Sequence, residues 1–469
     1  MNKTKIIVTI GPKVCTVASI KKLYKAGMGI ARLNGSHNIL SWHLETIKII
    51  KKTVPDLPIL FDMPGKKIRT CHLINEPRFK KNDQIILTTD SSYKGTNKVP
   101  INKHDLHYYL KKNDTIFADD GTLCFQVTKI EGQDIYCKAK NKGVLRSTKG
   151  INVPHVKLGK DAVSKKEKVI LDFIIKNKVH FVGVSFVESA KYIKEIRRIS
   201  KTKTLKIIAK IENQGGLDNM DEIIAETDGV MIDRGDLSTE TSYEKVVIYQ
   251  KQIVEKCNKL SKPVIVATEM LNSMIENPFP SKAEVADISN AVIDGASAIM
   301  LSGETAVGNY PIESVRVMHK ICSTIENRFV ENKKDINESI PLAIGKSISE
   351  ICKSLPITKI IAITLSGYAA RTIASQMLEQ PIIAITNNLL IANSFNLYRG
   401  TVGVYADIKF KKDNLEHVTK CIKYLWKKKM INEQDIILVT SVGYPQSGRR
   451  MNMIQTHYVK DLKKLFKWN

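Results

Sequence analysis

"KAEVADISNAVIDGASAIMLSGETA", residues 282–306, contains one complete helix-then-strand unit of the kind from which the fold is built. Residues 282–295 carry apolar side chains at helical spacing, which predicts an amphipathic helix. Residues 297–301 are a short apolar run, typical of a parallel strand covered by helices on both faces. The run ends abruptly on the polar residues Ser302, Gly303 and Glu304.

Similar apolar runs recur along the first two thirds of the chain, with stretches of helical period between them. We predict strands at residues 5–10, 30–34, 58–62, 181–185, 206–211, 229–233, 263–267 and 297–301. Eight strand–helix units favour a (β/α)8 TIM barrel, in which functional residues lie at the carboxyl ends of the strands.

Two regions depart from this barrel pattern. From Cys71 to about Thr148 the runs alternate and carry turn signals, as in "DTIFADDGTLCFQVTKI", which predicts a small inserted β-barrel cap. After about residue 335 the strands and helices resume as a separate open α/β domain. The expected fold class is α/β, with a barrel formed by residues 1–70 and 150–334, a cap domain at 71–149 and a C-terminal α/β domain at 335–469.

Composition argues against several classes of protein. No apolar run approaches the roughly 18 to 20 residues of a membrane span, so we expect no membrane partner. The eight cysteines are scattered without a CxxC pair or a Cys/His cluster, which favours a reducing, cytoplasmic location over a zinc site or a disulfide framework. The net charge of +26 would attract polyanions, but the lysines are spread along the whole chain, so we expect a solvated surface and no nucleic-acid partner.

Polar residues at the predicted strand ends would converge on one rim of the barrel. They are Thr9 and Pro12, Arg32, Asn34 and Ser36, Asp62, Lys210 and Glu212, Arg234 and Asp236, Thr268, and Ser302, Gly303 and Glu304. Glu212 and Asp236, without soft ligands, suit a hard divalent ion such as Mg²⁺. Together with Arg32 and Lys210 they are typical of phosphoryl transfer, although an internal ion pair between Lys210 and Glu212 is the alternative. The sequence contains no GxxxxGK[ST] phosphate loop.

The chain resembles pyruvate kinase along essentially its whole length. The matching motifs, in order, are "TKIIVTIGP", "AGMGIARLNGSH", "IRT", "DDGTL", "KGINVP", "VGVSFV", "IIAKIEN", "RGDLSTE", "KPVIVATEML", "PSKAEVADISNAVIDGASAIMLSGETAVGNYP" and "TLSGYAART". The resemblance implies a barrel, a β cap and a C-terminal effector domain, assembled as a homotetramer. It also implies the glycolytic reaction of phosphoenolpyruvate with ADP to give pyruvate and ATP, with Mg²⁺ or Mn²⁺ as cofactor.

The resemblance assigns roles to the residues at the strand ends. Lys210 is similar to the lysine that stabilises the transferring phosphoryl group and the enolate, and Arg32 to the arginine on the phosphoryl group. Thr268 matches the threonine that helps deliver a proton to the enolate carbon. Glu212 and Asp236 match the divalent-metal ligands.

Three further groups of residues match binding positions of the family. The backbone N–H groups that receive the substrate carboxylate are those of Gly235 and Asp236. The positions that line the nucleotide site are Thr9, Pro12, Arg69 and Lys149. The loop for a phosphorylated effector metabolite is matched by Thr364, Ser366 and Gly367, for which an ordinary strand–helix turn is the alternative.

The stretch "DMPGKKIRT", residues 62–70, indicates whether the protein needs a monovalent cation. Asp62, Asn34 and Ser36 match the side chains that hold K⁺ in family members that need it. Those members resemble one another in carrying Glu at the place of Lys67, whereas members that work without potassium tend to carry Lys. Because a fixed ammonium can replace a bound K⁺ and offset Asp62, we expect that K⁺ is not required.

Several positions depart from the family pattern: "NGSH" has Gly35 in place of an aromatic residue, and "RGDLSTE" replaces RGDLGVE. Since the catalytic and metal positions are retained, we expect an active enzyme. One alternative is a catalytically weakened, pyruvate-kinase-like regulatory protein. Another is a metal-dependent lyase or aldolase acting through a pyruvate enolate, which would need neither the cap nor the C-terminal domain.

Overall fold

The computed structural model describes residues 2–65, 67–119, 121–154, 162–202, 204–326, 340–410, 415–441 and 451–468. Its central feature is a closed barrel of eight parallel strands, which confirms the predicted fold class. Within these ranges, no helix has both the length and the apolar character needed to cross a membrane.

The barrel is built from two parts of the chain, with the inserted strands between them. The first part contains β1 (Lys5–Thr9), α1 (Val17–Ala26), β2 (Ile30–Asn34), α2 (Leu40–Thr53) and β3 (Ile59–Met63). The inserted strands are β4 (Ile68–Arg69), β5 (Arg78–Phe79), β6 (Gln84–Thr88), β7 (Val99–Pro100), β8 (Thr115–Ala118), β9 (Leu123–Glu131), β10 (Asp134–Ala139), β11 (Gly143–Val144) and β12 (Gly150–Asn152). The second part contains α3 (Lys165–Lys176), β13 (Phe181–Val184), α4 (Ala190–Ser200), β14 (Lys206–Ile211), α5 (Gln214–Asp218), α6 (Met220–Glu226), β15 (Gly229–Asp233), α7 (Arg234–Glu240), α8 (Val246–Lys259), β16 (Val264–Ala267), α9 (Lys282–Asp294), β17 (Ala298–Leu301), α10 (Gly303–Ala306) and α11 (Pro311–Glu326).

The strand order around the barrel is β1-β17-β16-β15-β14-β13-β3-β2. The strands predicted at 30–34, 206–211 and 229–233 coincide with β2, β14 and β15, and the other five differ by one residue at one or both ends. The agreement follows from burial, because these strands are covered on both faces and therefore read as uninterrupted apolar runs.

The helix of the 282–306 stretch has strong start and stop signals. Ser281 and Glu284 form a capping box, in which each side chain accepts a hydrogen bond from the other residue's backbone N–H. The helix α9 ends at Asp294 and is capped by Gly295, whose φ of +97° lies in the left-handed region that a glycine adopts without strain.

Each barrel strand contributes to two apolar layers. The inner layer fills the barrel and includes Ile7, Ile30, Leu60, Phe181, Ile208, Met231, Ile265 and Met300. The outer layer packs against the surrounding helices and includes Ile6, Ala31, Ile59, Val182, Ile207, Val230 and Val264. Because successive side chains alternate between faces, the inner series determines which residues face inward at the carboxyl end of each strand.

The inserted region forms a seven-stranded sheet of order β4-β12-β8-β9-β10-β6-β7, and β5 pairs with β11 beside it. This region has an apolar core of its own, which includes Leu87, Ile116, Phe125 and Ile135. Its first and last strands, β4 and β12, are antiparallel neighbours, with Arg69 opposite Gly150. The two connections to the barrel therefore lie side by side, just outside the predicted cap range of 71–149.

The C-terminal part contains α12 (Ile340–Ser354), β18 (Lys359–Ile363), α13 (Tyr368–Ala374), β19 (Ile382–Thr386), α14 (Leu389–Ser394), β20 (Thr401–Tyr405), α15 (Glu416–Lys427), β21 (Ile436–Ser441), β22 (Met453–Tyr458) and α16 (Val459–Phe466). Its sheet has the order β20-β19-β18-β21-β22, with apolar clusters on both faces. The antiparallel edge strand β22 was not predicted. The predicted boundary between residues 334 and 335 lies outside the described residues.

Gly35 shows how one departure from the family pattern is accommodated. A Cβ at this position would lie 2.5 Å from Cε1 of Phe61 and 2.8 Å from the carbonyl oxygen of Asp62. Phe61 is fully buried and packs edge-on against His43 and Phe173, with ring centroids 5.0 and 5.8 Å away. The Phe61 ring therefore occupies the space into which a side chain at Gly35 would project.

Candidate active site

Ionisable side chains converge where β14 and β15 end. Lys210 and Glu212 follow the inward-facing Ile208 at intervals of two residues, and Asp233 follows Met231 in the same way. Since alternate residues of a strand share a face, these three side chains point to the mouth of the barrel. All three are buried.

The Lys210 ammonium lies among three carboxylates. Its Nζ is 2.7 Å from Glu212 Oε1, 3.1 Å from Asp233 Oδ2 and 3.4 Å from Asp62 Oδ2. Burial lowers the pKa of Lys210, but the three carboxylates outweigh burial and hold the pKa well above its usual range. Lys210 is therefore a fixed positive charge in a site shielded from water, where charges interact most strongly.

Glu212, Asp233 and Asp236 form a carboxylate cluster, in which one oxygen of each residue lies within 4.8 Å of the others. Burial raises the pKa of Glu212 to about 8. Burial also raises the pKa of Asp236, against the opposing effect of the Lys67 charge. Carboxylates this close repel one another, and hard oxygen donors are those that Mg²⁺ and Mn²⁺ prefer. The cluster therefore fits a hard divalent metal ion.

Arg32 is anchored within the same network. Its Nη2 lies 2.5 Å from Asp62 Oδ2, and its Nη1 donates to Thr9 Oγ1 at 3.0 Å. Thr9 Oγ1 in turn donates to the Leu301 carbonyl at 2.7 Å. Asp62 therefore joins Arg32 to Lys210, and the hydroxyl of Thr9 supports the guanidinium.

Thr268 follows β16 and is connected to the same carboxylates. Its Oγ1 accepts a hydrogen bond from the Gly235 N–H at 2.9 Å, and its one proton can go to the Ala267 carbonyl at 2.6 Å or to Asp233 Oδ1 at 3.2 Å. Because Asp233 also pairs with Lys210, a single carboxylate links Lys210 and Thr268, two of the three side chains for which we predicted catalytic roles. The structure thus brings together Arg32, Lys210, Glu212, Gly235, Asp236 and Thr268.

Comparison with known proteins finds a family match for both the barrel and the C-terminal domain. The model for the pyruvate kinase barrel domain matches residues 1–315, and the model for the pyruvate kinase alpha/beta domain matches residues 342–457. The chain belongs to the pyruvate kinase family. The pyruvate kinase of Trypanoplasma borreli is 37% identical over 97% of this chain and 95% of its own length. The pyruvate kinase of Thermococcus litoralis is 35% identical over 94% and 95%, and that of Bacillus licheniformis 35% identical over 98% and 81%.

Among the residues that the resemblance assigned to pyruvate kinase function, Lys67 has an unexpected partner. We expected it to offset Asp62, but its ammonium forms an ion pair with Asp236, the predicted metal ligand. The reason is that Asp62 is already paired with Arg32 and Lys210. The Lys67 side chain crosses Gly150 of the cap sheet, where a Cβ would lie 2.5 Å from Lys67 Cε.

The three predicted monovalent-cation residues lie close together at the ends of β2 and β3. Asn34 is the register partner of Asp62, and Asn34 Oδ1 accepts a hydrogen bond from the Ser36 N–H at 3.0 Å. Asp62 Oδ1 is buried and has no hydrogen-bond partner among the described residues. The structure thus brings these three residues together, and potassium independence stays a prediction.

The predicted nucleotide residues fall into two groups. Arg69 ends β4 and Lys149 directly precedes β12, its neighbour in the cap sheet, and Arg69 Nη1 donates to the Thr148 carbonyl at 2.9 Å. Lys149 Nζ is 2.6 Å from Asp119 Oδ1. On the barrel, Thr9 is buried beneath Arg32, and Pro12 begins an exposed turn.

The predicted effector residues lie on the C-terminal domain, at the end of β18. Thr364 Oγ1 accepts a hydrogen bond from the Gly367 N–H at 3.1 Å, and Gly367 has a φ of +84°. Ser366 is exposed between them. These contacts are those of an ordinary strand–helix turn, so the effector role stays a prediction.

Asp233 is the site residue that we did not predict. The sequence feature that could have identified it is its position two residues after Met231, on the inward face of β15. Glu304, which we expected at the rim, lies in α10 after β17 and does not join the cluster. Its carboxylate accepts hydrogen bonds from the backbone N–H groups of Leu271 at 3.0 Å and Ser302 at 2.8 Å.

Helix α7 also contacts the cap through a buried hydrogen bond. Asn152 Nδ2 of β12 donates to Glu240 Oε1 at 2.7 Å. Burial raises the pKa of Glu240 to about 7, from an ordinary value of 4.5. Asn152 Oδ1 is buried without a hydrogen-bond partner among the described residues.

We predict that Glu240→Gln stabilises the protein at alkaline pH. Because the folded pKa of Glu240 is raised, its protonated form contributes stability that is complete below about pH 4.5 and is lost as the pH rises through about 7. Glutamine stays neutral and can donate to Asn152 Oδ1, so we expect a Tm gain of roughly 2–4 °C at pH 8 that disappears near pH 5. Differential scanning fluorimetry measures both values. Glu244→Gln, at an exposed position, is the control, and a Tm difference that does not change with pH would contradict the prediction.

Proposed function

We propose that this enzyme transfers the phosphoryl group of phosphoenolpyruvate to ADP, giving pyruvate and ATP, as a cytoplasmic, glycolytic, metal-dependent pyruvate kinase. The observation that carries the proposal is the buried Lys210 ammonium, held beside the carboxylate cluster and joined to Arg32 through Asp62. Phosphoryl transfer depends mainly on positioning and on neutralising charge, and this arrangement supplies fixed positive charge where phosphate oxygens would lie.

Glu212 and Asp236 would hold a divalent ion, Mg²⁺ or Mn²⁺, with Asp233 beside them. The bound ion would supply Lewis-acid stabilisation of substrate oxygens. Lys210 and Arg32 would bind and orient the phosphoryl group, and the N–H groups of Gly235 and Asp236 would face the substrate carboxylate. Thr268 would place its hydroxyl near the enolate carbon, with Asp233 Oδ1 3.2 Å from the hydroxyl oxygen.

The decisive experiment is a coupled assay for pyruvate formation from phosphoenolpyruvate and ADP with Mg²⁺. We predict that Lys210→Met lowers kcat by about three orders of magnitude or more, because it removes a preorganised charge from a site shielded from water. Lys359→Met, which removes the lysine that pairs with Asp435 in the C-terminal domain, should leave turnover near the wild-type value.

Wild-type turnover in Lys210→Met would refute the proposed mechanism. Absence of activity in the wild-type protein would favour the pyruvate-kinase-like regulatory alternative. Release of pyruvate from a 4-hydroxy-2-oxo acid by C–C bond cleavage, with no turnover of phosphoenolpyruvate and ADP, would favour the lyase or aldolase.

We propose that K⁺ is not required because Lys67 supplies a fixed charge at the mouth of the barrel. Its ammonium offsets Asp236, and Arg32 and Lys210 offset Asp62. We predict that K⁺ changes wild-type activity less than about twofold relative to a tetramethylammonium buffer.

In Lys67→Gln, activity in tetramethylammonium should fall at least about tenfold, equivalent to ~1.4 kcal/mol, and K⁺ should restore part of it. Lys103→Gln, which removes a cap lysine paired with Asp105, is the matched control. Strong activation of the wild-type enzyme by K⁺ would show that Asp62, Asn34 and Ser36 form a working cation site.

We further propose that the enzyme is a homotetramer and that its nucleotide site is lined by Thr9, Pro12, Arg69 and Lys149.

We also propose that a phosphorylated metabolite binds at Thr364, Ser366 and Gly367. A sugar phosphate or nucleoside monophosphate bound there should shift the phosphoenolpyruvate saturation curve. Ser366→Glu should abolish the shift by charge repulsion and leave basal turnover unchanged. Unchanged curves at saturating concentrations of both classes would exclude the effector site.

A further inference from the structure

Two consecutive residues after β16 have an uncommon backbone conformation. Thr268 has a φ of +66° and Glu269 a φ of +53°, both in the left-handed region. This region is rare for non-glycine residues and strained for a β-branched side chain such as Thr268. Such a conformation persists only where the surrounding structure holds it in place, and it is found most often at functional sites.

Arg234 holds this segment through its two carbonyl groups. Arg234 Nη2 donates to the Thr268 carbonyl at 2.8 Å and to the Glu269 carbonyl at 3.1 Å. Arg234 Nη1 donates to Asp287 Oδ1 at 2.8 Å and lies 2.7 Å from Oδ2. Because Asp287 belongs to α9, the guanidinium ties the strained segment to a rigid helix of the barrel.

The residue after Arg234 holds Thr268 from the other side. The Gly235 N–H donates to Thr268 Oγ1 at 2.9 Å, so one lone pair of the hydroxyl is already engaged. The hydroxyl also lies 2.6 Å from the Ala267 carbonyl and 3.2 Å from Oδ1 of Asp233, the residue before Arg234. Three successive residues at the end of β15 therefore fix both the backbone and the side chain of Thr268.

Other groups at the barrel mouth do not explain the Arg234 contacts. The guanidinium is buried, and its described partners are Asp287, Gln250 and the two carbonyl groups. None of these is a metal-site carboxylate, so Arg234 does not neutralise the cluster directly. Its contacts instead hold the backbone from which the Thr268 side chain projects.

We propose that Arg234, anchored by Asp287, is a positioning residue that acts through Thr268 to place its hydroxyl for proton transfer at the enolate carbon. The inference rests on the proposed function, because it assigns Arg234 to the step in which the enolate gains its proton. In the reverse direction, a C–H bond of the pyruvate methyl group breaks and its electron pair forms the enolate. The proton bonds to Thr268 Oγ1 as the hydroxyl gives up its own proton to Asp233 Oδ1, which lies 3.2 Å away.

The test separates this proton step from overall turnover. In D₂O with Mg²⁺ and ATP, ¹H NMR follows exchange of the pyruvate methyl protons for deuterium, and the coupled assay gives kcat and KM. We expect Arg234→Lys to lower the exchange rate and kcat at least about tenfold while KM for phosphoenolpyruvate changes less than about threefold, since an ammonium does not reproduce the fork geometry of a guanidinium.

A double-variant comparison distinguishes positioning from general destabilisation. If Arg234 acts through Thr268, adding Arg234→Lys to Thr268→Ala should cause no further loss of exchange, whereas independent effects would multiply. Arg197→Lys is the matched control. Arg197 also donates to a backbone carbonyl, that of Glu226, and to a carboxylate, that of Asp228, but at the opposite end of β15. We expect this control to exchange at the wild-type rate.

Asp287→Asn keeps a hydrogen-bond acceptor and serves as the second variant if Arg234→Lys does not fold. We expect it to lower exchange at least about threefold with KM retained, because the anchor of the guanidinium is weakened. Wild-type exchange in a folded Arg234→Lys or in Asp287→Asn, or multiplicative losses in the double variant, would overturn the inference. If the inference is overturned in this way but Lys210→Met has lost its activity, the proposed function stands. If Lys210→Met keeps its activity, the proposed function itself is refuted.

Discussion

A lysine ammonium enclosed by carboxylates is the interaction on which the barrel mouth depends. Lys210 is buried with Asp62, Glu212 and Asp233, which lie in or directly after β3, β14 and β15, with β13 between β3 and β14 in the barrel. Burying any one of these charges alone would cost several kcal/mol, and pairing offsets that cost only when the geometry is close. The ammonium therefore requires the three strand ends to converge, and Arg32 joins the assembly through its bond to Asp62.

The fold could be predicted from the sequence because its main signal is local. Strands such as β2, β14 and β15 are apolar on both faces, so their limits coincide with the limits of apolar runs. Lys210 and Glu212 were predicted for the same reason, since spacing by two along a strand places side chains on one face. The edge strand β22 was missed because its sequence, "MIQTHY", alternates weakly and half of it is polar.

The parts that could not be predicted depend on pairs that are remote in the chain. Lys67 meets Asp236 across 169 positions, and its choice of partner depends on how the cap lies against the barrel. Arg234 reaches Asp287 across 53 positions, and no periodic pattern connects them. Asp233 is a different case, because its spacing from Met231 was visible but could not by itself distinguish a site residue from the last residue of an ordinary strand.

Helix α7 is only seven residues long, yet it contacts the loop after β16, the barrel core and the inserted region. At its start, Arg234 and Gly235 contact the loop after β16, and Leu237 is buried in the barrel core. The other contacts are with the inserted region: Asp236 pairs with Lys67, Thr239 lies beside Gly121, and Glu240 accepts a hydrogen bond from Asn152. Substitution at most of these positions would therefore disturb a partner on another element. Over evolutionary time the residues of this helix should change together with the cap and the β16 loop, or stay as they are, and compensating pairs in related sequences would be found there first.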